Sequence, residues 1–559
     1  MPDSAHVLTH ILSNIDDPAR TAVPPGAGRA AVAVCVGAAL TGATGTAGAA
    51  PHPGLMPDDL LVSRLHYTGT AAMIIPGKTV LPTGATAVAD GSFAQVWDNV
   101  TVDDNFGVTA PIMLDELSPG GTEVSSLTVP TGDVGSAGRG HDVLSGSFSS
   151  KSEGALSLST SGKAVSFMGY VAPANVLDAS NGNTPGVIDP TNPDAQQVYR
   201  GVGQVDASGR FAITETNAYS GDNGRAVILD DATGNYFAAG NSNNGEGTSV
   251  PGTIYGTGAQ LIKPANASEE DQHPGQPTPA GGFSVTWLPG ITKADKLGKD
   301  TNFAGVAIHN GVVYFTKGSG SNGIDTVYFI DTTGSACPDG VGLQVPGAPT
   351  PTAPDAYNPA TGEPAYNMCI LKGFPTRLAK SVATPEVGGP ENGTAFGGLW
   401  FAGDNTLYVA DAGNGDDSFD GTTYAGAAAQ TLAGIQKWSL VDGTWTYDYT
   451  LQSGLGLGTP YRVGGLPSGT NPTTGLPWSP AVDGVRNPTG KINNDGTVTL
   501  YAVTSAIGGV SDPGADPNRL VTITDDLGAR TLPGAESFRT LRTAAAGDVY
   551  RGVSPTPGS

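Results

Sequence analysis

The chain has 559 residues, 82 of them Gly and 43 Pro, and its 51 Asp+Glu against 27 Lys+Arg give a formal net charge of −24. Such an acidic protein is repelled by phosphate backbones and anionic lipid, which excludes nucleic acid and membrane surfaces as expected partners. The turn residues break up every long helical pattern and leave many short alternating segments, which predicts an all-β fold.

Arg29 precedes an apolar run, Ala30 to Leu40, followed by small residues with Ala47 and Ala49 in the A-x-A relation of a secretory cleavage site. Residues 1–49 are therefore expected to be a leader, and the mature domain to start at Ala50 and run to residue 559. The first 28 residues are long and polar for a leader, which points to a start site further along the chain. The apolar run is far shorter than the ~20 residues that span a bilayer, so export rather than insertion is expected. Cys35 leaves with the leader. Cys337 and Cys369 then remain as an even pair in an exported, extracellular protein, the usual setting for a disulfide.

After the leader, Asp59 to Thr68, Ala110 to Gly121 and Glu123 to Thr131 read as strands two, three and four of a unit lacking its first strand. Two-strand cassettes joined by tight polar turns then begin at Gly154, Gly224, Phe303, Phe396 and Gly484. Third and fourth strands follow, as in "YRGVGQVDASG" with "RFAITETNA". The stretch from Phe396 to Gln452 writes one four-stranded meander in full. Such a recurrence of sheet units predicts a single β-propeller. The spacing exceeds the ~40 to 50 residues of a minimal blade, so insertions are expected, notably at 264–282 and 335–375. The C-terminal "VYRGVSPTP" (Val549 to Pro557) reads as the missing first strand of the N-terminal unit, closing a six-bladed ring. The segment from Tyr461 to Gly484 leaves room for a seventh blade.

"TLYVADAGNG" is similar to the strand motif of NHL-type propellers, and together with "GIQKWSLVDGTW" and "YRGV" the chain resembles a group of secreted bacterial propeller proteins of uncharacterised function. The resemblance implies an extracellular ring with a ligand-capable face and implies no reaction.

The loops joining second to third strands are dense in Asn, Asp and Ser, which serve equally as turn residues or as a polar rim. Within them, Asp411, Asn414, Asp416, Asp417 and Asp420 form the densest acidic cluster and the candidate calcium site, although the spacing is not that of an EF-hand. Asn181, Asn183, Glu215, Asn217, Asn241, Asn243, His309 and Trp400 are candidates for a ligand face, with His66 or His309 as a candidate base and Trp400 as a stacking platform for a sugar. Trp438 reads as core. The chain has no G-x-S-x-G elbow and no H-E-x-x-H. Its sparse lysine argues against a phosphate cradle. The sequence thus predicts a monomeric, secreted propeller that binds a small molecule, glycan or surface protein through its loop face. The alternative is a calcium-dependent lactonase or esterase with a metal at the channel mouth.

Overall fold

In the computed structural model, the described residues are 54–67, 78, 86, 108–131, 143–148, 150, 153–176, 182–184, 198–241, 258–264, 280–286, 288–289, 302–318, 323–337, 339–347, 349–352, 357–358, 363–364, 366–378, 395–472, 474–509 and 513–559. The leader lies outside them. The described chain is all-β apart from one helical turn, α1 (Ala425–Ala428), and a 3-10 turn at Pro513–Ala515. No helix among the described residues is long and apolar enough to cross a membrane.

Antiparallel pairing gathers the strands into meanders in a propeller-like arrangement. The first contains β1 (Leu60–His66), β2 (Thr109–Leu117) and β3 (Glu123–Thr128). The next contains β5 (Ser157–Leu158), β6 (Ala164–Tyr170), β7 (Arg200–Asp206) and β8 (Phe211–Thr216), and β4 (Ser145–Ser147) bridges it to β2. The third contains β9 (Gly224–Asp230), β10 (Asn235–Gly240), β11 (Ala259–Ile262) and β12 (Ala280–Val285).

The fourth meander, β13 (Phe303–His309), β14 (Val312–Lys317), β15 (Thr326–Ile330) and β19 (Tyr366–Leu371), is joined to β12 through β19. Three two-residue strands precede β19: β16 (Val341–Gly342), which pairs with it, and the mutually paired β17 (Tyr357–Asn358) and β18 (Glu363–Pro364). The fifth is β20 (Phe396–Phe401), β21 (Thr406–Asp411), β22 (Gly434–Val441) and β23 (Thr444–Leu451). The sixth is β24 (Ala481–Ile492), β25 (Thr497–Ile507), β26 (Arg519–Asp526) and β27 (Arg539–Thr543).

The final strand, β28 (Asp548–Pro555), pairs along the whole of β1 and supplies the first strand that the N-terminal meander lacks. The innermost strands β5, β9, β13, β20, β24 and β28 touch one another in that order, and β28 returns to β5.

Local chemistry explains much of this pattern. Asn310-Gly311 and Asp442-Gly443 both hold positive φ at both positions, as the two-residue turns of β13–β14 and β22–β23 require. Between inner strands, a Cβ on Gly305 would lie 2.7 Å from the Gly398 Cα, so glycine is what lets β13 and β20 approach backbone to backbone. The largest apolar cluster joins the third, fourth and fifth meanders and includes Trp438, stacked on Phe374 at 3.9 Å, which makes it a core residue.

Cys337 and Cys369 form a disulfide with their Cα atoms 5.5 Å apart, tying the segment before β16 to outer strand β19. Closing a loop of that length is worth about 3 to 4 kcal/mol in the chain-entropy model. Two expected boundaries change. Residues 280–282 of the 264–282 insertion belong to β12, and the 335–375 insertion contains β19 itself. Among the described residues, 452–480 form only turns and isolated bridges, so the room for another blade is not filled by strands there. Tyr461 instead donates its hydroxyl to Pro517 O at 2.7 Å and lies under the Arg519 guanidinium.

Candidate functional site

First and second strands of each meander run antiparallel, so their C-terminal ends point to opposite ends of the channel. This divides the sequence candidates into two groups. Asn183, Glu215, Asn217, Asn241 and the Asp411 cluster lie at the end where second strands lead into third strands. His309 and Trp400 lie at the other end, beside the hairpin turns. Asn181 and Asn243 fall outside the described residues.

At the loop end, the candidates hold the scaffold together. Asn183 is buried and its carbonyl accepts Val198 N–H at 2.7 Å, while Asn241 donates its amide to Asp222 Oδ1 at 2.8 Å. Glu215 and Asn217 are buried at the end of β8. Arg200 is buried and donates to the carbonyls of Asp222, Gly182 and Val198, so its role there is to fasten loops.

Within the acidic cluster, Asp416 accepts from Ser418, Asp420 accepts from Thr422 and Thr423, and Asn414 Oδ1 accepts from Asp416 N–H. These are turn-capping bonds. No three of the cluster's carboxylates come within 4.8 Å of one another; among the described residues only Asp331, Cys337 and Cys369 do so, and those two cysteines are bridged to each other. His66 is exposed and pairs with Asp548 at 2.7 Å, beside the Arg64 ion pairs to Asp115 and Asp548.

Asp411 differs from the rest of its cluster because it is buried at the end of β21, next to Asp483 at the start of β24. Burial pushes its pKa up to about 7, assisted by the Asp483 charge and opposed by bonds from Gly413, Ala395 and Gln436. The folded-state value lies above the ordinary 3.8, so the native state holds a proton that the unfolded chain releases. This contribution is complete below 3.8 and is lost as pH rises through about 7. Asp411→Asn should flatten the stability profile across that window and raise stability at pH 8 by about 2 kcal/mol, since a neutral amide avoids burying a charge. Urea unfolding of both proteins at several pH values measures this; parallel profiles would show that Asp411 does not carry the shift.

The hairpin end is where the inner strands enclose space. A cavity of about 320 Å³ is lined by residues of β5, β9, β13, β20, β24 and β28, among them Leu158, Ile228, His309, Trp400, Thr489 and Ser554. Its volume falls in the range of small-molecule sites. Trp400 is half-buried, and a Cβ on Gly490 would lie 2.9 Å from its ring, so that glycine makes room for the indole. His309 lies parallel to Phe401, 4.6 Å between ring centres and 5° between planes. Its Nε2 is 3.0 Å from Asp404 Oδ1, and Asn310 donates to the same oxygen at 2.7 Å. These amide and imidazole bonds hold the exposed Asp404 carboxyl below its usual range. The His309 ring is therefore held by Phe401 against one face and by Asp404 at Nε2.

The lining's other polar members are partly committed. Asn487, in the left-handed region at φ +46°, accepts Leu156 N–H and Val553 N–H at 3.2 and 2.9 Å, thereby stitching β24 to the chain before β5 and to β28. Asp404 escaped sequence reasoning. The signal that marks it is its place in the tight turn "AGDN", one meander away from the Asn-Gly turn that follows His309.

No family model and no curated protein matches the chain. Among solved structures it is similar to a periplasmic gluconolactonase of Pseudomonas aeruginosa, at 12% identity and a TM-score of 0.31, covering 87% of this chain and 82% of that one. It is also similar to a protein from Lactobacillus plantarum, at 10% identity and a TM-score of 0.30, covering 88% and 83%. Likenesses at this level carry no argument about what the chain binds.

Proposed function

We propose that this protein is a secreted, monomeric six-bladed β-propeller that binds a small molecule or glycan at the hairpin end of its central channel. One observation supports the reading above others: the 320 Å³ cavity is walled by the six innermost strands and furnished with Trp400 and His309. The cyclic contact of those strands and the pairing of β28 with β1 support the blade number. An indole face beside a fixed imidazole suits a ligand with one flat apolar face and hydrogen-bonding groups at its edge, such as a sugar ring. The site proposed is thus at the opposite end from the loops that the sequence favoured. The disulfide fits an oxidising compartment and export.

A panel of mono- and oligosaccharides tested by thermal unfolding provides the check, because a ligand at 100 times its Kd stabilises the native state by about 2.7 kcal/mol. At least one compound should raise the Tm of the native protein and leave Trp400→Ala unmoved. Equal shifts in both would remove the cavity from the proposal. Calcium and a chelator belong in the same series, because the Asp416, Asp417 and Asp420 carboxylates are exposed.

A second reading, ester or lactone hydrolysis, is favoured by the His309 and Asp404 pair, since an oriented imidazole on a cavity wall is placed to act as a general base. Turnover of a lactone or ester panel that disappears in His309→Gln would support it. Turnover unaffected by that change would place the chemistry elsewhere.

A further inference from the structure

In the loop that joins β26 to β27, residues 531–537 are exposed except for Pro533 and Glu536, and Phe538 is buried at its end. Phe538 packs in the apolar cluster that joins the fifth and sixth meanders, and its N–H donates to Ser453 O at 2.7 Å. Glu536 enters the polar group between the same meanders. Its Oε1 accepts Asp526 N–H at 2.9 Å, whereas its Oε2 is buried and meets no donor.

The donors around that oxygen are committed. The Lys437 ammonium has three N–H groups, and they go to Asp525 Oδ2 at 3.0 Å, to Tyr449 Oη at 3.0 Å and to Asp526 O. The hydroxyls of Tyr408 and Tyr449 both donate to Asp525. The other charged groups at the junction are engaged as well: Asp526 accepts Gly528 N–H at 2.9 Å, and Asp448 accepts from Arg530 and the Ser439 hydroxyl. β21, β22, β23 and β26 thus face Glu536 with a neutral ion pair and two hydroxyls whose protons point elsewhere. A buried carboxylate oxygen without a donor is costly, whereas a protonated carboxyl brings its own. In keeping with this, burial and then a bond to Asp525 raise the Glu536 pKa to about 7 against the pull of Lys437.

We propose that the Glu536 carboxyl is a proton-operated latch: protonated, it fastens the β26–β27 loop against the fifth meander, and ionised, it releases the loop. The latch lies at a junction between two meanders and does not depend on what the channel binds. Its sign follows from where the proton is held. The closed loop keeps a proton that the open loop gives up, because an exposed glutamate returns to the ordinary 4.5. Closure is therefore fully favoured below 4.5 and weakens as pH rises through about 7.

Hydrogen exchange of the full chain, read by mass spectrometry and corrected for the intrinsic pH dependence of exchange, tests the latch. Between pH 6 and pH 8 the protection of amides in residues 527–538, Phe538 N–H among them, should fall by about tenfold, as one proton held at 7 rather than 4.5 requires. Strand β14, which lies outside this junction, should keep its protection. Glu536→Gln places an uncharged amide donor where the proton sat, so its loop at pH 8 should be protected as the native loop is at pH 6. Equal native protection at both pH values, or a Glu536→Gln loop that still loosens tenfold, would overturn the proposal. So would a loss in β14 as large as that in the loop, since the change would then be one of global stability.

Discussion

Deleting residues 548–559 should leave the chain without a cooperative fold. β28 pairs with β1 from Leu60 to His66, and its Val549, Tyr550 and Val553 are buried in two separate apolar clusters. Neighbouring meanders also depend on it. Asn518 accepts Tyr550 N–H and donates to Tyr550 O, both at 2.8 Å, and Asn487 accepts Val553 N–H. Without the strand, β1 becomes an open edge with its apolar side chains uncovered, a template for aggregation. Burying three side chains of this kind is worth about 5 to 8 kcal/mol, comparable to the whole stability of a typical domain. Circular dichroism and size exclusion of the truncated protein test the expectation. A soluble product that unfolds cooperatively at the native Tm would show that β28 is dispensable.

The second large effect concerns Lys437 and Asp525, which are both completely buried between the fifth and sixth meanders, 3.0 Å apart. Lys437 also donates to Tyr449 Oη at 3.0 Å and to Asp526 O, while Asp525 accepts from the hydroxyls of Tyr408 and Tyr449. Glu536 joins this group: burial and a bond to Asp525 raise its pKa to about 7. Lys437→Met leaves the Asp525 charge in an apolar setting and should cost about 3 to 5 kcal/mol. Asp525→Leu, which strands the ammonium, should cost a similar amount. The double variant Lys437→Met/Asp525→Leu should recover most of the loss, because replacing a buried pair by apolar groups removes its desolvation cost as well as its attraction. Urea unfolding of the four proteins closes the cycle. Single variants that cost less than about 1 kcal/mol would mean that the pair behaves as a solvated surface bridge.

The strands were legible in the sequence because their signals are local. Asn310-Gly311 and Asp442-Gly443 mark hairpins within a few residues, and the C-terminal strand was recognisable because the N-terminal unit visibly lacked its first member. The cysteine pair followed from parity. What was not legible depends on residues brought together by the ring. Asp404 and His309 meet only because the turns of neighbouring meanders are adjacent. The acidic cluster from Asp411 to Asp420 is a signal of the opposite kind. Density along the chain was its only signal, and each described carboxylate that makes a bond is used by its own loop or strand end. Loop polarity marks turns, whereas the enclosed space at the hairpin end is formed by apolar and glycine positions such as Ile228, Gly305 and Gly398, which carry no such local signal.

The most direct test of ligand binding in the channel is a fluorine NMR titration of the protein labelled with 5-fluorotryptophan, the Trp400 resonance being assigned by its loss in Trp400→Phe. With a sugar that raises the Tm, that resonance should shift, while those of Trp438 and Trp445, packed in the core, should stay in place. A sugar that binds while the Trp400 resonance does not move would contradict the account.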